Sequence, residues 1–194
     1  MMMYGGQRVS NGIKYLLIAN IVLAVLQRVP QIGDLITIWG ALIPRRVFLN
    51  AEIWRPVTYM FLHDTRGIWH LFFNMFGLWM FGTELEEVWG TRRFVIFYFI
   101  CGIGSALLSF VMWNGFIIGA SGAVYGVLTA YGFLFPDRQI LLFFLFPLPA
   151  RMAAVVFFLL SLLAGGGIAH WTHLGGIAVA FAYMRLYRPV SSRV

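Results

Sequence analysis

Ser121 lies in Gly119-Ala120-Ser121-Gly122, at the opening of one hydrophobic stretch, and His173 lies in His173-Leu174-Gly175-Gly176, at the opening of a later one. A serine hydroxyl is a weak nucleophile until a base accepts its proton, and neutral histidine has a suited pKa. Placed at matching ends of two membrane helices, the two would share one depth in the bilayer. The chemistry on offer is acyl transfer through a covalent serine ester. Its oxyanion needs preorganised donors. The free backbone N–H groups where the Ser121 helix begins supply some, that of Ser121 included. His70 and Asn74 are four residues apart, hence on one helix face, and add an imidazole and an amide. No Asp or Glu falls in this layer, so the unit is a dyad. Tyr125, one turn after Ser121, is placed to orient the imidazole by stacking where a carboxylate is missing.

These residues need membrane helices to hold them, and the composition supplies the material. Of 194 residues, 61% are hydrophobic and only 11% charged, too little polar surface for a water-soluble globule. The net charge of +7 comes from basic residues scattered between apolar blocks, which argues against a nucleic-acid face and for topology determinants. The single cysteine, Cys101, sits in an apolar run, excludes an intrachain disulfide and suits packing. Apolar runs predict six spans, near residues 13–29, 68–83, 93–113, 117–135, 149–165 and 168–187, in one domain covering 1–194. The fold class expected is an all-α polytopic membrane bundle. The first run is followed by Val29-Pro30 and lacks a small-x-small cleavage site, so it is read as the first span rather than a signal peptide.

Uncharged connections (113–116 and 165–168) alternate with ends flanked by Arg92, Arg93, Arg138, Arg151, Arg185, Arg188 and Arg193, which places both termini in the cytoplasm. The long first loop, 30–67, carries Arg45, Arg46, Arg55 and Arg66 nearly balanced by Asp34, Glu52 and Asp64. Its Trp39, Phe48, Trp54, Tyr59 and Phe61 suit short helices in the headgroup region on the outer side. Spans two, four and six then run in the same direction. Counted from the span starts, Asn74, Ser121 and His173 lie at a common depth of roughly 8 to 10 Å. Glu84, Glu86 and Glu87, at the far end of span two, are expected to be solvated. Span four is rich in Gly119, Ser121, Gly122, Gly126, Ala130 and Gly132, which fits a central helix. Span three, with Gly102, Gly104, Ser105 and Ala106, is its natural neighbour.

Taken together, these motifs resemble the rhomboid family of intramembrane serine proteases, in the family's order and over nearly the whole chain. Glu52-Ile53-Trp54-Arg55-Pro56-Val57-Thr58 looks like its Trp-Arg loop segment, and His70-Leu71-Phe72-Phe73-Asn74 like its span-two motif. Gly119-Ala120-Ser121-Gly122 with Tyr125 looks like its nucleophile motif, and His173-Leu174-Gly175-Gly176 like its base motif. The resemblance implies Ser121 as nucleophile, His173 as general base and then acid, and His70, Asn74 and the Ser121 N–H as oxyanion donors. Gly119, Gly122, Tyr125, Gly176, Trp54 and Arg55 would support them. It also selects His173 over His170 as base, leaving His170 nearer the aqueous rim. Thr172 stands where alanine is common in the family and Ala180 where glycine is common. The implied activity is cleavage of single-pass or polytopic membrane proteins in or beside their spans, with no metal or cofactor. Spans two and five, with the loop from Gly115, would form the gate, and the cytoplasmic membrane of a bacterium would be the location.

Two other readings use the same residues. A non-catalytic rhomboid-like protein would bind membrane clients without cleaving them. A small transporter or channel would use His70, His170 and His173 as a polar or metal-binding site. No His-Glu-x-x-His motif and no aspartate within a span offers another protease chemistry.

Overall fold

A computed structural model describes residues 10–111, 114–142, 145–163 and 169–187. The expected connection 165–168, Trp113 of the connection 113–116, and the basic residues Arg188 and Arg193 lie outside the described residues. The chain is mostly helical. Long apolar helices run over Asn11–Leu26 (α1), Trp69–Trp89 (α5), Thr91–Leu108 (α6), Ser121–Leu134 (α7), Ala150–Leu163 (α8) and Ala169–Tyr187 (α9). Between α1 and α5 the chain makes three short helices, Ile32–Gly40 (α2), Pro44–Leu49 (α3) and Arg55–Thr58 (α4), then a 3₁₀ turn at Tyr59–Phe61. Among the described helices, only Thr91–Val111, mean hydropathy 2.3, is long and apolar enough to cross a membrane by length and composition alone.

α7 packs at the centre, against α5, α6, α8 and α9. It is small-residue rich for a physical reason. A Cβ on Gly122 would meet Ser105 Oγ of α6 at 2.5 Å, and one on Gly126 would meet Cys101 Sγ at 2.6 Å. The expected neighbour relation between the two glycine-rich helices therefore rests on small side chains of α6 set against the glycine backbone of α7. The outward faces stay apolar: Val22, Val25, Trp79, Ile96, Val155 and Phe181 are exposed large hydrophobics, as lipid-facing positions require.

Three expectations change. The acidic cluster is not simply solvated. Glu86 is buried and accepts hydrogen bonds from the Gly12 and Ile13 N–H groups (2.8 Å each), Ser10 Oγ (2.5 Å) and Thr91 Oγ1 (2.6 Å). It caps the first turn of α1, where free N–H groups and the helix dipole favour a carboxylate. Glu84 pairs with Arg138, and Glu87 alone is exposed. Second, the all-α bundle carries one short hairpin that was not expected. Gln139–Leu142 (β1) and Phe146–Pro149 (β2) form an antiparallel hairpin between α7 and α8. Of its residues only Pro149 falls in an expected span, and a short apolar run does not by itself distinguish a strand from a helix end. Third, the span starts shift. α7 begins at Ser121 itself rather than near 117, while Asn74 and His173 lie inside α5 and α9. Ser121 sits at its helix start, so counting along α7 does not give its level.

Candidate active site

Ser121 is held by what precedes it. Ile117 and Leu42 exchange both backbone hydrogen bonds (2.9 and 3.0 Å), and the Gly119 N–H donates to the Tyr59 carbonyl at 2.9 Å. The segment that leads into Ser121 is thus stitched to the loop between α1 and α5. That loop is clamped in turn by Arg55. Its guanidinium is fully buried, pairs with Glu52 and donates to the carbonyls of Ile38 (3.0 Å) and Ala41 (2.5 Å) at the C-terminal end of α2. Trp54 Nε1 donates to the Trp39 carbonyl at 3.0 Å. Trp54 and Arg55 therefore act at a distance, by fixing the residues against which 117–119 is registered.

Gly119 turns the chain into α7 with φ of +126°, in the region where a side chain is strained. A Cβ there would lie 2.8 Å from His70 Nε2 and 3.8 Å from Ser121 Oγ. The same point of space thus faces both the His70 ring and the serine hydroxyl. The tautomer of His70 follows from its other nitrogen. The Asp64 N–H donates to His70 Nδ1 at 3.2 Å, which leaves the proton on Nε2, facing that point as a donor. Arg66, bidentate on Asp64, holds the Asp64 carboxyl down at about 2, so this corner stays an ion pair at the rim. Asn74 is buried, and Nδ2 donates one hydrogen to the His70 carbonyl at 2.7 Å. An amide nitrogen has two, and this bond uses one of them.

Ser121 Oγ and His173 Nε2 are 2.8 Å apart, hydrogen-bond distance for proton transfer. Tyr125 stacks on the His173 ring, with centroids 4.4 Å apart and planes 26° from parallel, while its hydroxyl donates to the Phe157 carbonyl of α8 at 2.9 Å. His170 stands aside, its ring centroid 6.5 Å from that of His173. Gly122 and Gly176 bring α7 and α9 into backbone contact beneath the pair. Thr172 is buried and shares a 2.8 Å hydrogen bond with Ser109. Among the described residues, no group of three or more His, Cys, Asp or Glu side chains is arranged to hold a metal ion.

Two residues at the site carried no sequence signal. His63 is buried against His70, ring centroids 5.1 Å apart, with neither ring nitrogen partnered, and burial pushes its pKa down to about 3, so it packs as a neutral ring. Ser161 of α8 lies 3.5 Å from His173 Nδ1. It is one serine in an apolar run, and only the packing of α8 in the bundle makes it a neighbour of His173.

Residues 50–190 match the model of the rhomboid domain. The chain is 38% identical over 132 residues to the mitochondrial Rhomboid protein 1 of Saccharomyces cerevisiae, covering 59% of this chain and 37% of that protein. It is 42% identical over 81 residues to Rhomboid protease GluP of Bacillus subtilis, 42% of this chain and 16% of that one. With RHOMBOID-like protein 1 of Arabidopsis thaliana it shares 33% identity over 156 residues, 77% of this chain and 39% of the relative. The chain thus spans well under half the length of each of these relatives. The matched stretch runs from just before the Glu52–Arg55 pair to the end of the last helix and holds every residue gathered around Ser121. On that match this chain belongs to the rhomboid family.

Proposed function

We propose that this chain is an intramembrane serine endopeptidase that cleaves membrane proteins within or beside their transmembrane segments. The observation that carries the reading is the 2.8 Å contact of Ser121 Oγ with His173 Nε2, beside a point of space that also faces the His70 ring. Ser121 Oγ attacks the scissile carbonyl carbon as its proton passes to His173 Nε2. The oxyanion is met by the Ser121 N–H, His70 Nε2–H and the Asn74 amide. Collapse expels the amine, which takes the proton from Nε2 and leaves an ester on Ser121. Water then attacks that ester, gives its proton to Nε2, and the returning proton releases Ser121 and a carboxylic acid. No metal or cofactor enters these steps.

The arrangement in the bilayer belongs to the same reading. The six apolar helices serve as the spans of one membrane domain, and the short helices α2 to α4 lie in the outer interface with their aromatic residues. At 14 residues α7 is roughly 21 Å long, shorter than the hydrocarbon layer of about 30 Å. A helix that short starts below one face of the membrane, where water can reach Ser121 and a helical substrate can unwind. A bacterial cytoplasmic membrane, with both termini cytoplasmic, fits the arginine distribution. Substrates reach the dyad between spans two and five.

The test is reconstitution in phospholipid vesicles with a single-pass reporter carrying small residues beside its span. Site-specific cleavage is expected, and folded protein that binds the reporter but leaves it intact would favour the client-binding alternative. His70→Ala or Asn74→Ala should each lower turnover by about 10- to 1,000-fold with unchanged helix content by circular dichroism. Full activity in the double substitution would remove both from the oxyanion site.

A further inference from the structure

We propose that Ser161 is the positioning residue of the catalytic base: its hydroxyl oxygen accepts the Nδ1 proton of His173 and thereby selects the tautomer that can deprotonate Ser121. The inference rests on the protease reading above and deepens it.

The hydrogen-bond directions leave little choice. Ser161 Oγ donates to the Phe158 carbonyl of its own helix at 2.7 Å. That uses its only hydrogen and leaves its lone pairs as the groups available to His173 Nδ1, 3.5 Å away. At the other ring nitrogen, Nε2 must be unprotonated to accept from Ser121 Oγ at 2.8 Å. The result is a one-way chain: Ser121 O–H to Nε2, Nδ1–H to Ser161 Oγ, Ser161 O–H to the Phe158 carbonyl. In a triad a carboxylate does this work at Nδ1. Here the chain ends on a backbone carbonyl, and no charge is buried beside the base.

The contact also gives a gain specific to the reaction. The Nδ1–H···O contact is long in the resting state, where the imidazole is neutral. Once His173 holds the Ser121 proton it is an imidazolium, and a charge-assisted bond is shorter and stronger. An interaction that strengthens only as the transition state forms raises kcat rather than substrate affinity. Because Ser161 and Phe157 lie one turn apart on α8, and the Tyr125 hydroxyl donates to the Phe157 carbonyl, one face of α8 holds both groups that orient the imidazole. Displacing α8 removes the Nδ1 acceptor and the anchor of the stacked ring together.

The experiment compares wild type, Ser161→Ala, Ser161→Thr and Ser161→Cys in cleavage of the vesicle-borne reporter and in the rate of fluorophosphonate labelling. It adds the ¹⁵N spectrum of histidine-labelled protein, assigned with His173→Ala, as a readout of tautomer. Ser161→Ala should lower kcat and the labelling rate by about 10- to 100-fold with KM nearly unchanged. Ser161→Thr, which keeps the hydroxyl, should recover most of the rate, and Ser161→Cys, a poor acceptor of similar size, should resemble alanine. His173 should be Nδ1-protonated in wild type and lose that preference in Ser161→Ala. Equal kcat in wild type and Ser161→Ala, equal losses in the alanine and threonine variants, or an unchanged tautomer would overturn the assignment. If Ser161→Ala does not fold, Ser161→Cys carries the same comparison. Wild type that is never labelled at Ser121 would defeat the protease reading, whereas wild type and Ser161→Ala labelled at one rate would defeat only this inference.

Discussion

Ser121→Ala and His173→Ala are each expected to abolish covalent labelling by a fluorophosphonate and to lower kcat/KM for a membrane reporter by about 10⁴-fold or more. The losses should not add. The hydroxyl and the imidazole act as one unit across their 2.8 Å contact, and removing either leaves the other without a partner in the step. The double variant should therefore be no worse than the poorer single one. A small residual rate is expected in each, because binding and the oxyanion donors survive. Neither substitution should unfold the protein. Both side chains are only partly buried, and His173 keeps its stack on Tyr125 when Ser121 is shortened. Equal melting temperatures would establish that the lost activity is chemical. Labelling that persists in Ser121→Ala would mean that another serine is the nucleophile. A folded wild type that resists labelling would shift weight to a protein that binds membrane clients without cutting them.

How much of this site is legible in the sequence depends on the kind of contact. Polar residues in apolar runs are costly enough to stand out, so Ser121, His173, His70 and Asn74 are visible as candidates, and helical spacing alone pairs Ser121 with Tyr125 and His70 with Asn74. The structure brings Ser121, His173, Tyr125 and His70 together. The start of α7 was not legible, because hydropathy is continuous through 117–120. What stops the helix there is tertiary: the Leu42–Ile117 pairing and the left-handed turn at Gly119. Glu86 was misread for a similar reason. A carboxylate beside two others looks solvated until the distant N-terminus of α1 is docked on it. Ser161 was not visible at all, since a lone serine in an apolar helix is usually a packing residue and nothing near it in sequence names its partner. The mostly helical character of the chain was thus readable from local patterns, while register against the long loop was not.

Gly176→Ala tests that register most directly, and it is expected to cost both stability and activity although it adds one methyl group. An ideal Cβ at Gly176 would lie 1.9 Å from the Gly122 carbonyl oxygen and 2.8 Å from its carbon. Both are backbone atoms, so no rotamer change relieves the clash, and α7 and α9 must move apart by about 1.5 Å to reach ordinary contact. Overpacking of this kind costs about 1–3 kcal/mol, or more where backbones must separate. The chemical consequence follows from position. Gly122 directly follows Ser121, and Gly176 lies three residues after His173 on α9, so the same displacement opens the hydrogen bond between nucleophile and base. A misplacement of about 1 Å at a reacting pair can cost on the order of 10²-fold in rate. Gly67→Ala is the matched control. No atom lies within 4 Å of a Cβ at Gly67 and its backbone is not in the left-handed region, so melting temperature and turnover should stay at wild-type values. Thermal unfolding and reporter cleavage, measured on both variants, decide the matter. If Gly176→Ala melted and cleaved like Gly67→Ala, the close approach of α7 to α9, and with it the packing that sets Ser121 against His173, would have to be abandoned.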